Sequence, residues 1–261
     1  MDPLLSVRHL VKRIGGLTAV NRVSLDVYPG EVIGLVGDNG AGKSTLIKMV
    51  SGVYHPNDGE IYFEGRLAHI ANPAHARDMG IETIYQDLAL AGNLPMSANI
   101  FLGRERKKKY LGGVIRTLDE EFMLEESRKL LQTLDVHISS VHAKIENLSG
   151  GQRQAVAIAR ALYWNARLLI MDEPTNNLGV TQQGEVLALI RRLRDQGVPV
   201  IVISHTIRDI FAVSDRIVVL HRGRKVADKR VADTTTEAIV QYIMGARDDM
   251  LEEPEADAAA D

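Results

Sequence analysis

The chain has 261 residues, of which 45% are hydrophobic and 25% are charged; it carries a formal net charge of −3 and contains no cysteine. This balance suits a folded domain with a sizeable core, and it excludes a disulfide framework, a thiolate metal site and a surface devoted wholly to nucleic acid. No apolar stretch approaches the roughly 20 residues that span a bilayer, and the N-terminus lacks a signal-peptide core, so we expect a cytoplasmic protein that cannot cross a membrane alone.

The predicted strands fall into two groups. Two stretches near the N-terminus, LLSVRHLVKR and NRVSLDVY, predict a short antiparallel section. Three later runs are rich in Val, Ile and Leu without polar alternation, as in strands buried on both faces of a parallel sheet: EVIGLV (31–36), RLLIMD (167–172) and VPVIVIS (198–204). The expected fold class is therefore α/β.

Helical patterns separate these runs. One helix is predicted over 119–134, where Glu125 can pair with Lys129 one turn later, and another over 180–196. The first helix places these apolar residues at helical spacing: Phe122, Met123, Leu130, Leu131 and Leu134. The whole stretch around 90–162 is expected to be mostly helical. RERKKKY (104–110) is expected to be a solvated loop, with a permease or lipid-surface contact as the alternative.

The stretch GLVGDNGAGKST has the composition of a phosphate-binding loop. Gly37, Gly42, Lys43 and Ser44 fit G-x-x-x-x-G-K-[ST] between a predicted strand and a predicted helix. Glycines let backbone N–H groups approach phosphate oxygens, the lysine reaches the β- and γ-phosphates, and the serine ligates Mg²⁺. A Gly-rich turn matches by chance only about once in a hundred chains of this length. The predicted nucleotide-binding residues are Gly37, Asp38, Asn39, Gly40, Ala41, Gly42, Lys43, Ser44 and Thr45.

Two acidic residues end the strand in RLLIMDEPT. Asp172 is placed at the carboxyl edge of the sheet, where it can hold the metal through water. Glu173 can polarise a water toward the γ-phosphate. Acidic residues often simply end strands, but the presence of Lys43 in the same chain favours the functional interpretation.

A second anion-binding helix start is predicted in LSGGQRQAVAIARAL. Ser149 and two glycines lead into an amphipathic helix. For an isolated Ser-Gly-Gly sequence, an ordinary helix cap would be the better interpretation. Here the stretch occurs in one chain with the phosphate loop and the acidic strand end.

In their order and spacing, these segments resemble those of ATP-binding-cassette (ABC) ATPases. Gln86 in TIYQDLAL and His205 in VISHTIRDIF complete the resemblance, which covers the chain to about residue 245. The resemblance implies a P-loop NTPase (RecA-like) core with a mostly parallel sheet, an N-terminal antiparallel β section and an inserted helical subdomain. The expected division is one ATPase domain over 1–245, with the helical subdomain at about 90–162, and an acidic, disordered tail over 246–261.

The resemblance also implies roles for single residues. Glu173, His205 and Gln86 would be catalytic, with His205 contacting the γ-phosphate and Gln86 touching both the metal and the reactive water. The metal ligands would be Ser44, Gln86 and Asp172. The signature loop would bind the ATP of an opposite subunit through Ser149, Gly150, Gly151 and Gln152. The implied ligands are ATP and Mg²⁺, and the implied assembly is a homodimer.

A narrower resemblance connects the chain with single-cassette ATPases of bacterial monosaccharide importers of the fructose, ribose and xylose type. It rests on GIETIYQDLAL, LPMSANIFLGRE and EPTNNLGVTQQ. It implies integral-membrane permease subunits as partners, a sugar-binding protein as an indirect partner, no nucleic acid, and a peripheral position on the inner face of the cell membrane.

Two residues depart from the common cassette pattern. Gly179 stands where many cassettes have aspartate, and Ile14 stands where an aromatic would stack on adenine.

Two other functions stay open at this point. One is a soluble cassette acting in translation or DNA maintenance, although those usually have two cassettes or long coiled coils. The other is a small-molecule kinase, in which LSGGQ and His205 would have no evident use.

Overall fold

The computed structural model describes residues 2–110, 115–136 and 140–249. Within these ranges the strands are β1 (Leu5–Ile14), β2 (Leu17–Val27), β3 (Val32–Val36), β4 (Asp58–Phe63), β5 (Arg66–Leu67), β6 (Ile81–Ile84), β7 (Lys107–Tyr110), β8 (Ile115–Leu118), β9 (Leu168–Asp172), β10 (Val200–Ile203), β11 (Arg216–His221) and β12 (Arg224–Arg230). The helices are α1 (Lys43–Val50), α2 (Pro73–Asp78), α3 (Met96–Ile100), α4 (Glu120–Thr133), α5 (Gly150–Tyr163), α6 (Val180–Asp195), α7 (Ile207–Val213) and α8 (Thr236–Ile243).

Among the described residues, the central sheet has six strands in the order β12-β11-β3-β10-β9-β6. The neighbours from β11 to β6 pair in parallel, and β12 is antiparallel to β11. The three apolar runs supply β3, β9 and β10, which confirms the predicted buried strands. Because β3, β9 and β10 are parallel, their carboxyl ends, and therefore the loops that follow them, meet at one edge of the sheet.

Packed layers cover both faces of this sheet. Along β3, Ile33 and Leu35 enter one core and Val32 and Val36 enter the other, which explains why the strand is apolar at every position. The first core also contains α1 and an antiparallel sheet of order β2-β1-β4-β5. The second core contains α5, α6 and α7. The predicted α/β class and the N-terminal antiparallel section are both confirmed.

The stretch 90–162 contains α3, α4 and α5, and also a hairpin. The predicted helices at 119–134 and 180–196 are present as α4 and α6, and the Glu125–Lys129 ion pair forms at 3.0 Å. The predicted loop over 104–110 is wrong for its second half, because β7 pairs with β8 in antiparallel register. Opposite charges support this hairpin, since Lys108 lies 3.0 Å from Asp119. The subdomain boundaries stay a prediction.

The end of the described chain folds back on the protein. The backbone N–H of Asp249 donates to Val226 O at 3.0 Å, and its carboxylate lies 2.6 Å from Lys229 and accepts from the Tyr242 hydroxyl. The rest of the predicted tail, from residue 250 on, lies outside the described residues. No helix in the described part of the chain is long and apolar enough to span a membrane.

Candidate functional site

The loop after β3 wraps around its own lysine. The Lys43 ammonium donates to Gly37 O at 2.7 Å and to Asp38 O at 3.0 Å. Gly37 has φ 150°, and a Cβ there would lie 2.3 Å from the backbone oxygen of Leu220. Gly42 immediately precedes α1 and has φ 103°, a left-handed conformation that residues other than glycine rarely adopt. The backbone path of this loop therefore requires glycine at both positions.

The acidic strand end lies one strand away from this loop. Asp172 ends β9, and β10 separates β9 from β3, so the β3 and β9 backbones are about 10 Å apart at this edge. Glu173 turns out of the strand with φ 51°, although its N–H still donates to Ile203 O at 2.8 Å. A left-handed non-glycine residue is strained, and such residues cluster at functional sites. Asp172 and Glu173 therefore lie at the same edge of the sheet as the loop that follows β3.

Glu173 and His205 are in direct contact. Nδ1 of His205 lies 2.9 Å from one Glu173 oxygen, and the His205 backbone N–H donates to the other at 3.1 Å. The Ser204 hydroxyl donates to the same carboxylate at 3.2 Å. His205 is 69% exposed at its side chain while that of Glu173 is only 17% exposed, so the histidine forms the outer wall of the site.

The charges at this edge influence one another. Burial lowers the pKa of Lys43, an effect that the carboxylates of Glu173, Asp38 and Asp172 oppose. Burial, followed by repulsion from Glu173, raises the pKa of Asp172, which Lys43 and Lys48 oppose. The raised pKa shows that the Asp172 carboxylate gains too little positive charge from its surroundings to offset its burial. A cation bound there would relieve this imbalance.

The residues present fit a magnesium ion. Ser44 offers an exposed hydroxyl at the start of α1. Asp172 offers a carboxylate, and its raised pKa indicates that nearby positive charges do not fully stabilise the ionised form. Both are hard oxygen ligands of the kind that Mg²⁺ accepts together with substrate phosphates. Gln86 lies after β6, exposed, and lines a cleft of about 390 Å³ with Gly150, Gln154 and Asn176. The structure thus brings together Lys43, Asp172, Glu173 and His205, and places Gln86 in the neighbouring cleft.

The predicted signature residues form a tight helix start. The Ser149 hydroxyl accepts from the Gln152 N–H at 3.2 Å, and the Gln152 side chain accepts from the Ser149 N–H at 3.0 Å, a reciprocal capping box. A Cβ on Gly150 would lie 2.2 Å from the Leu178 side chain, and one on Gly151 would lie 2.8 Å from Glu185. The two glycines therefore let the start of α5 pack directly against α6 and the residues just before it.

Sequence reasoning missed the residues that contact the acidic turn, which comprises residues 173–175 directly after β9. Ser204 binds the Glu173 carboxylate, and the buried Thr175 hydroxyl donates to the buried Asp209 carboxylate at 2.7 Å. The neighbouring Gln154 donates to Pro174 O at 3.0 Å. Their positions beside Glu173, His205 and LSGGQ were the available signal, but only the fold shows the contacts.

Comparison with known proteins shows which family the chain belongs to. The family model for ABC transporters matches residues 20–176. The chain belongs to the ABC transporter family. This cassette is 46% identical over 243 residues to a xylose/arabinose import ATP-binding protein of Sulfolobus acidocaldarius, covering 93% of this chain and 94% of that protein. It is 43% identical over 249 residues to a fructose import ATP-binding protein of Rhizobium meliloti, covering 95% and 96%.

Solved structures are similar along nearly the whole cassette. One is a nucleotide-free ATP-binding cassette from an ABC transporter, with TM-score 0.77 and 25% identity, covering 93% of this chain and 95% of the other. Another is the ADP conformation of an ATP-binding cassette, with TM-score 0.76 and 26% identity, covering 94% and 96%. These similarities confirm the predicted cassette fold and the predicted family.

The structure also locates the two departures. Ile14 ends β1 and is 46% exposed, so its side chain is available to a ligand. Gly179 is the residue just before α6, where a Cβ would meet no atom within 4 Å. Packing within the chain therefore does not require glycine at position 179.

Proposed function

We propose that this cassette is the ATP-hydrolysing subunit of a monosaccharide importer, converting ATP and water into ADP and phosphate. The observation that carries the proposal is the meeting of Lys43, Asp172, Glu173 and His205 at one edge of the sheet. The assignment to sugar import is supported by the names of the xylose/arabinose and fructose import relatives, which align over nearly their full length. A kinase would need a second substrate site and offers no use for the signature loop.

Each residue has a role that its position supports. The phosphate loop and Lys43 bind the ATP phosphates, and Ser44 and Asp172 would hold Mg²⁺, which supplies charge neutralisation at the phosphates when bound. Glu173 accepts a proton from the attacking water as the water oxygen bonds to the γ-phosphorus, and the bond to the bridging oxygen of ADP breaks. His205 orients the Glu173 carboxylate through Nδ1. As the family resemblance implies, it would also contact the γ-phosphate. Gln86 lines the neighbouring cleft. From there it would contact the metal and the reactive water, as the family resemblance implies.

The active form is proposed to be a homodimer. Each chain has one phosphate loop and one signature loop, so two complete sites form when two chains face each other around a two-fold axis. Ser149 and its glycines would then bind the ATP held by the partner. We further propose permease subunits as the membrane partners, a sugar-binding protein as an indirect one, and a position on the inner face of the cell membrane.

The test is phosphate release from Mg-ATP by the purified wild-type chain and three variants. Glu173→Gln should bind ATP but lose turnover by about 100-fold or more, because it removes the group that takes the proton. Lys43→Ala should lose ATP affinity, because it removes charge from the bound phosphates. Glu120→Gln, which changes an exposed carboxylate on α4, is the control and should match wild type. Equal loss of ATP affinity in the Glu173 and Lys43 variants would contradict these roles.

A further inference from the structure

A buried glutamine in α5, the helix that follows Ser149, connects this helix to the acidic turn. Gln154 lies in the first two turns of α5 and is only 6% exposed. Its side-chain nitrogen donates to Pro174 O at 3.0 Å, and Pro174 directly follows Glu173. The Gln154 side chain therefore joins α5, the helix that Ser149 caps, to the turn that holds the proposed catalytic base.

The chemistry of this bond fixes the orientation of the Gln154 amide. A backbone carbonyl can only accept, so the NH₂ group must face Pro174 and the oxygen Oε1 must face the other way. Oε1 is buried and has no hydrogen-bond partner among the described residues. An unsatisfied buried acceptor is costly, and its presence calls for an explanation. The side chain lines the cleft that also contains Gln86 and Asn176, whose amides are potential donors.

Close packing around the Gln154–Pro174 hydrogen bond restricts movement of α5 relative to the acidic turn. Gly150 contacts Leu178 so closely that a Cβ would reach within 2.2 Å of it, and the Leu178 N–H donates to Thr175 O at 3.4 Å. A shift of the α5 start relative to the acidic turn must therefore strain the Gln154–Pro174 bond or the Gly150–Leu178 contact. Because this interior is closely packed, such a shift is transmitted to the turn.

We infer that Gln154 is a positioning residue that couples the two composite ATP sites of the dimer. Resting on the proposed function, the signature loop of one chain senses ATP at one site while Glu173 of the same chain acts at the other. Gln154 joins these two parts by a single hydrogen bond, so occupation of the first site adjusts Glu173 at the second. Its Oε1 accepts a donor from the cleft when ATP closes the dimer, which completes the amide's hydrogen bonding.

The experiment compares Gln154→Met with Gln183→Met in the full chain. Methionine keeps the side-chain length and removes the amide. Gln183 is the matched control, because its side-chain nitrogen also donates to a backbone oxygen between β9 and α6, that of Leu178, at 3.0 Å. Gln183 lies in α6, however, so its hydrogen bond does not connect α5 to the acidic turn. The measurements are ATP affinity, kcat and the Hill coefficient of phosphate release against Mg-ATP concentration. Thermal unfolding establishes that each variant is folded.

The expected result separates coupling from simple packing. Gln154→Met should bind ATP within about twofold of wild type, lose kcat by about tenfold or more, and lower a wild-type Hill coefficient above one to about one. Gln183→Met should keep both kcat and cooperativity. Unchanged kcat and Hill coefficient in Gln154→Met, or a wild-type Hill coefficient of one, would overturn the inference while leaving hydrolysis intact. A wild-type chain without turnover would instead refute the proposed function.

A second variant covers a failure to fold. Gln154→Asn keeps an amide in the interior but is one methylene shorter, so it cannot span the distance to Pro174 O from the same backbone position. If Gln154→Met does not fold, Gln154→Asn is judged by the same criteria. Failure of both to fold would assign Gln154 a purely structural role and overturn the inference.

Discussion

The buried pair of Thr175 and Asp209 offers a sharp test of how the acidic turn is held. Thr175 is 3% exposed and Asp209 is 7% exposed, and the Thr175 hydroxyl donates to the Asp209 carboxylate at 2.7 Å. The bond connects the turn after Glu173 to α7, the helix after His205. Thr175→Val keeps the side-chain shape and replaces only the hydroxyl by a methyl group.

The expected cost follows from the charge of the acceptor. A hydrogen bond to a charged group contributes about 1.5–3 kcal/mol, and removing its donor leaves a buried carboxylate without that donor. We therefore expect Thr175→Val to lower the free energy of unfolding by about 2–3 kcal/mol. For a chain of this size, the corresponding fall in Tm is about 5–10 °C.

Thermal unfolding of the nucleotide-free protein measures this loss. Thr175→Ser is the control, because it retains the hydroxyl and should stay much closer to wild type. The double variant Thr175→Val with Asp209→Asn closes a mutant cycle that isolates the interaction between the two side chains. The reasoning is refuted if Thr175→Val melts within about 1 °C of Thr175→Ser, or if the two single effects simply add.

Three further predictions concern the nucleotide site itself. Gly37→Ala should lower Tm and ATP affinity, because its Cβ would lie 2.3 Å from Leu220 O. Gly40→Ala is the control: its Cβ would meet no atom within 4 Å, so only backbone strain should lower its Tm. Equal losses in the two variants would contradict the steric argument. Ile14→Tyr should tighten ATP binding, measured by titration, with little change in kcat, because an aromatic face stacks on adenine for about 1–3 kcal/mol; no gain would show that residue 14 does not face the base. Asp172→Asn should raise the Tm of the nucleotide-free protein at pH 7. The raised pKa of Asp172 means that its stability contribution is present at low pH and lost as the pH rises through that pKa, so the gain over wild type should shrink on acidification; a gain independent of pH would contradict this sign.

Local patterns were enough to predict the phosphate loop and the buried strands. A loop of this kind needs glycines at fixed positions, and β3 is apolar at every residue because both of its faces are covered. The proposed roles of Gln86 and the signature residues came from the family resemblance, and they stay predictions. In one chain the signature residues pack against the start of α6, so no local pattern could show what they bind.

The contacts that brace the site could not be read from the sequence. Thr175 and Asp209 are separated by 34 positions, and Gln154 and Pro174 by 20, so each pair is created by the packing of helices on the sheet. The β7–β8 hairpin was also missed, because a run of lysines is typical of a solvated loop. Its cross-strand pairing and the Lys108–Asp119 ion pair become visible only once the register is known.

The Ser149 hydroxyl meets two demands that few residues can meet together. Its oxygen accepts from the Gln152 N–H and so caps α5, while a hydroxyl can still donate its own hydrogen to an anion. Aspartate caps a helix equally well, but its negative charge would repel a phosphate, and alanine provides neither function. Tolerance to substitution at position 149 should therefore differ between two traits: folding would accept aspartate, and nucleotide-dependent assembly would reject it.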